Sequence, residues 1–184
     1  LGRGQLVRVP VDDQGRLRAD ALPEIRGPTI VCIQAGNVNS GAFDPAREII
    51  AAAHAANAWV HVDGAFGLWA AASEERRHLM DGFADADSWA TDAHKWLNVP
   101  YDSGFVACAD RDAHRGAMGT QAAYLVHADT DAGGPRDQMD WTPEFSRRAR
   151  SLPVYAVLRH LGRRGLGELV ERCCALARLM ADRL

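Results

Sequence analysis

Lys95 is the only lysine of the 184-residue chain; every other member of its 21 lysines and arginines is an arginine. It stands in the run Asp92-Ala93-His94-Lys95-Trp96. A guanidinium is never deprotonated in a protein, whereas a lysine amine can shed its proton and attack a carbonyl. A solitary lysine in an arginine-rich chain therefore points to covalent chemistry that arginine cannot perform. The second group of interest is Asp63, 32 positions earlier, in His61-Val62-Asp63-Gly64-Ala65. Ala65 is small enough to let a flat ring lie against the backbone, and Asp92 and His94 share the turn of the lysine.

The surrounding elements decide whether these groups meet. "TIVCIQAG" (29–36) and "AWVHVDGAFG" (58–67) are short, β-rich apolar runs ending in glycine-containing loops, and they bracket the alanine-rich "DPAREIIAAAHAANA" (44–58). The pattern is strand, helix, strand, with Asp44 expected as the helix N-cap and Pro45 at the first helical position. A second helix is expected over 73–83, then strands over 87–92 and 103–110. Alternating strands and helices predict an α/β architecture with a parallel sheet. In such sheets ligands bind outside the carboxyl ends of the strands, which would bring Asp63 and Lys95 to one crevice. A carboxylate that steadies a protonated pyridine nitrogen and a lysine that forms a Schiff base with an aldehyde are the pair a pyridoxal 5'-phosphate site requires.

Composition sets the limits. With 47% hydrophobic and 24% charged residues the chain reads as an ordinary globular protein. A net charge of -3 without a basic cluster argues against nucleic acid, and no apolar run approaches the roughly 20 residues of a membrane span. Cys32, Cys108, Cys173 and Cys174 lack metal-ligand spacing, so no metal is expected and the compartment reads as reducing, hence cytoplasmic. The polar stretch 126–138, with Gly133, Gly134 and Pro135, reads as a mobile loop. Beyond it the chain reads as helical, broken by Gly162, Gly165 and Gly167, with Leu166, Leu169, Val170, Cys173, Leu176, Ala177 and Met180 at core-packing spacing.

"GNVNSGAFDP", "HVDGAFG", "TDAHKWLNVPYDSG" and "MDWTPEFSRRAR" together resemble the matching segments of the group II pyridoxal-dependent decarboxylases, which include the aromatic-L-amino-acid and glutamate decarboxylases. The resemblance covers nearly the whole chain. It implies the aspartate-aminotransferase fold (fold type I): residues 1–125 as the second half of the cofactor-binding large domain, 126–142 as a mobile loop, and 143–184 as the helical start of the small C-terminal domain. It also implies a carboxy-lyase acting on an amino acid, working as a homodimer with pyridoxal 5'-phosphate. Lys95 becomes the Schiff-base lysine, Asp63 the partner of the pyridine nitrogen and Ala65 the residue packed on a ring face. Asp92, His94 and Asn37 become further cofactor neighbours.

The chain also departs from that family. Val38 stands where animal members carry a threonine, and Asp92 where they carry an asparagine; an acid beside a phosphate is unfavourable unless it is turned away or hydrogen-bonded. A gapless alignment puts Gln138 where the aromatic decarboxylases have a loop tyrosine that protonates the substrate carbon. Glutamine cannot act as that acid, which would leave the role to His127 or another group. Residues 1–28 contain neither a phosphate-cradling loop nor a ring-stacking histidine. The expectation is a piece of a longer enzyme that binds cofactor poorly by itself. An aminotransferase or carbon–sulfur lyase of the same fold, or a non-catalytic remnant, are the alternatives. Outside the central cluster, His61 reads as a hydrogen-bonded strand residue and Trp96 and Trp141 as packing residues. Arg147 and Arg148 read equally as partners of acids or as holders of a substrate carboxylate.

Overall fold

The computed structural model describes residues 2–119 and 136–184. Its centre is a four-stranded sheet in the order β1 (Ile30–Gln34), β2 (Trp59–Asp63), β3 (Ser88–Asp92), β4 (Gly104–Cys108). The first three strands are parallel and β4 runs antiparallel to β3. The helix α1 (Ala46–Ala55) makes the crossover from β1 to β2, and α2 (Arg111–Met118) follows β4.

Side chains alternate across a strand, and that period sorts the two faces of the sheet. Val31 and Ile33 of β1 and Val60 and Val62 of β2 point to one face, where they are buried against Ala46, Ile49, Ile50 and Ala53 of α1, with Phe83 closing the cluster. Each aliphatic side chain so buried contributes about 1.5–3 kcal/mol. Ile30, Cys32, Gln34, His61 and Asp63 fall on the opposite, more open face, which is why the strands read as alternating rather than wholly apolar.

Four local expectations are corrected. Asp44 does not cap α1; its buried carboxylate instead accepts the backbone N–H groups of Gln34 (2.6 Å) and Leu17 (2.7 Å), tying the N-terminal segment to the end of β1. The helix expected over 73–83 is replaced by 3-10 turns at Gly67–Ala72, Arg77–Met80 and Phe83–Asp85. The cause is tertiary: buried Ser73 donates to the distant Glu171 and accepts from Arg76 N–H, and Gly82 adopts φ +81 hard against the backbone of Arg47.

The last two corrections concern α3 (Ser151–Ala181), which is interrupted only at Gly162 (φ 61°, ψ -175°). Gly165 and Gly167 stay within the helix. At Gly167 a Cβ would lie 2.9 Å from the Ala72 carbonyl oxygen, so this glycine lets α3 approach the 67–72 turn. Val170 is buried and Leu166 packs under the lysine turn, but Leu176 and Met180 are exposed, because no described element covers the last turns. Most of the loop expected over 126–142, His127 included, lies outside the described residues; Gln138–Asp140 forms a 3-10 turn.

Candidate active site

All six candidate residues lie at the carboxyl ends of the three parallel strands or in the segments that follow them. Asn37 follows β1, Asp63 and Ala65 end and follow β2, and Asp92, His94 and Lys95 end and follow β3. The first two segments are pressed together: Gly67 N–H donates to the Ala35 carbonyl (2.9 Å), and a Cβ on Gly36, at φ +87, would lie 2.9 Å from the Cα of Gly67. Only glycine on both sides permits that approach.

Asp63 is exposed. Its Oδ1 accepts the Ala65 N–H at 3.1 Å, which fixes the carboxylate against the turn. Among the described residues Oδ2 has no hydrogen-bond partner, leaving one oxygen for a cationic N–H. Beside it on β1, burial pushes the Cys32 thiol up, with the Asp63 charge adding to the effect. Cys32 is thereby held as a thiol rather than a nucleophilic thiolate.

The Lys95 amine lies 2.7 Å from Oδ2 of Asp92 and 4.1 Å from the centre of the Phe66 ring. Both ionic side chains are about three-quarters shielded, at 28% and 27% exposure. Asp92 is turned toward the lysine, and no hydrogen bond or ion pair joins Lys95 directly to Asp63. Phe66, three residues beyond Asp63, connects the two strand ends.

His94 is held from two sides. Its ring stacks on Tyr101 with centroids 4.1 Å apart, and Nδ1 lies 3.0 Å from the backbone nitrogen of Ser103. The Ser103 carbonyl already accepts the Ala93 N–H at 2.8 Å, so Nδ1 is best read as the acceptor of the Ser103 N–H, with the ring proton on Nε2. Asn37 is consumed locally: its Oδ1 accepts the N–H groups of Asn39 and Ser40, and its Nδ2 donates to Gln34. That arrangement makes it a loop-holding residue.

His61 is paired to Ser88 Oγ at 2.8 Å, and Ser88 also accepts the indole N–H of Trp59. Trp141 is buried between Arg136 and His114. Arg147 pairs with Glu144, while Arg148 and Arg150 both grip Asp102, holding its carboxyl down to about 2, chiefly through the Arg150 hydrogen bond. Sequence reasoning missed Phe66, Tyr101, Ser103 and Asp102. The quoted motifs contained all four, but only the folded turns bring them to His94, Lys95 and the start of α3. An open cleft between Glu75, Arg76, Glu171, Arg178 and Asp182 includes none of the candidate residues.

A largely parallel α/β sheet that carries a lone lysine and an outward-facing carboxylate beyond neighbouring strand ends has the layout of a pyridoxal-dependent enzyme. Residues 3–184 match the pyridoxal-dependent decarboxylase conserved domain, and the chain belongs to that family. It is 34% identical to the aromatic-L-amino-acid decarboxylase of Drosophila lebanonensis over 99% of its own length and 47% of the relative's. The fold superimposes on mouse CSAD in apo form with a TM-score of 0.81 (26% identity, 95% of this chain, 38% of that one). It also matches Oryza sativa TDC with PLP and tryptamine at 0.76 (33% identity, 84% and 32%). The chain thus spans less than half the length of each of these relatives. Among the described residues no helix is long and apolar enough to cross a membrane, and no group of three or more His, Cys, Asp or Glu side chains is placed to hold a metal.

Proposed function

We propose that this chain carries the lysine side of the active site of a pyridoxal 5'-phosphate-dependent amino-acid decarboxylase. The observation that carries the reading is the sole lysine, in the turn that follows β3, joined through Phe66 to the segment bearing Asp63. The donor set fits the cofactor: one amine for its aldehyde, and one carboxylate oxygen without a partner among the described residues for its ring nitrogen. When bound, the protonated pyridine ring supplies an electron sink for the pair left on the α-carbon as carbon dioxide departs. Lys95 is the attachment point. Asp63, anchored by Ala65 N–H, holds a negative charge where the ring proton belongs. Ala65 leaves room for the ring, and His94, fixed by Ser103 and Tyr101, presents its Nε2 proton as a donor.

Residues 1–125 then supply the second half of the large domain and 143–184 the start of the small one. We further place the full enzyme in the cytoplasm as a homodimer, in keeping with four free cysteines and with the family resemblance. Gln138, exposed at the start of its turn, favours a second outcome of the same site, in which protonation of the substrate carbon follows a different course. Borohydride reduction of the pyridoxal 5'-phosphate-loaded protein, followed by peptide mapping, is expected to label Lys95. A loaded protein with Lys95 unlabelled would overturn the reading. Carbon dioxide release by the full-length enzyme without a keto acid separates decarboxylation from transamination.

A further inference from the structure

We infer that Asp92 is a positioning residue that clasps the Lys95 amine before it reacts, with Phe66 as the opposite wall of the clasp; the importance of the clasp rests on the reading of Lys95 given above. Three contacts define it. The Lys95 amine meets Asp92 Oδ2 at 2.7 Å, the Lys95 N–H closes the turn on the Asp92 carbonyl at 3.3 Å, and the Phe66 ring lies 4.1 Å from the amine. Each member is fixed from outside. Asp92 is the last residue of β3, paired in register with Gly104, where an added Cβ would already approach the Asp92 carboxylate to 3.9 Å. Phe66 directly precedes Gly67, whose backbone contact with Ala35 locks the segments after β1 and β2, so its backbone is placed while its ring stays partly open at 38% exposure.

An exposed ion pair between long side chains contributes little. This one is about three-quarters shielded and backed by an aromatic face, which favours a cation and narrows the positions its stem can take. The carboxylate is acidic where the resembling animal decarboxylases carry an asparagine, and the contact gives that acid a partner other than a phosphate. To become a nucleophile the amine must give up a proton and leave Asp92, so the clasp stores the lysine in place and sets how readily it is released.

Because Lys95 is the only lysine, its reactivity can be read without cofactor or turnover. The protein is treated with limiting N-hydroxysuccinimidyl acetate at a fixed pH near 8, and acetylation of the Lys95 peptide is followed by mass spectrometry. Asp92→Asn is expected to raise the rate about two- to fivefold, Asp92→Glu to return it toward the slow value, and Phe66→Leu to give a smaller rise. Equal rates in wild type, Asp92→Asn and Asp92→Glu overturn the inference. So does an equal rise in the Asn and Glu variants, which reports a loosened turn rather than a lost charge. A protected Lys95 that takes no borohydride label leaves the clasp standing and removes the cofactor reading instead.

Discussion

The β1–α1–β2 layer and the β3–β4 and α3 side of the molecule are held together by different means. In the first, aliphatic side chains from two strands and one helix bury one another completely, and Phe83, 1% exposed, seals them. In the second, β4 leaves Phe105 and Val106 more than half exposed, and the approach to α3 is tied down by two arginines on the exposed Asp102. Among the described residues a small cluster of four buried side chains, Ala93, Leu97, Val99 and Val154, lies under the lysine turn, with Trp69, Val157 and Leu166 partly buried against it. Asp63 therefore stands on a stiff, apolar foundation, while Lys95 stands on a thin one stiffened by ion pairs. A site divided in this way has one fixed partner and one whose placement responds to charge.

The largest test of that contrast is Phe83→Ala, expected to destabilise by about 3–5 kcal/mol in urea titration. Val154→Ala beneath the lysine turn should cost roughly 1–2 kcal/mol; an equal loss from both would erase the difference between the regions. Next is Asp44→Ala, which strands two part-buried N–H donors and should cost about 1–3 kcal/mol. Asp44→Asn should be milder, because burial raises the carboxyl of Asp44 above its ordinary range and the amide removes the charge, but it recovers only one of the two bonds: its single oxygen accepts one N–H while its NH2 faces the other.

The smallest effect concerns Asp102. Its folded-state value of about 2 lies below the ordinary 3.8, so its contribution is fully present above about 3.8 and is lost as pH falls through about 2. Protection of the amides at the start of α3, relative to their intrinsic exchange rate at each pH, should fall over that window, and at high salt, in wild type but not in Asp102→Asn. The same pH and salt response in Asp102→Asn as in wild type would make the arginine grip irrelevant to the anchoring of α3.

Much of the layout was legible in the chain. The strand–helix–strand pattern of 29–67 and the strand at 87–92 could be read because alternating burial and an alanine-rich crossover are local signals. Asp63 and Lys95 could be placed at strand ends because residue type and motif spacing do not depend on partners. The segment 73–83 misled because its helical composition is overridden by Ser73 reaching Glu171 and by Gly82 pressed on Arg47, contacts across 98 and 35 positions of sequence. Asp44 misled for a similar reason: a good local cap is drawn away to two backbone N–H groups brought beside it by the fold, those of Gln34 and Leu17.

The sequence by itself determined that one amine and one acid would stand beyond neighbouring strands of a parallel sheet, because strand periodicity and a single lysine admit few other arrangements. Only the tertiary structure decided that Asp92 faces the lysine, that Phe66 covers it, that Asn37 is occupied within its own loop, and that Asp102 anchors the approach to α3. Those outcomes depend on which turns meet in space, and a side chain's partner is chosen by distance and desolvation after the backbone has been fixed, not by its neighbours along the chain.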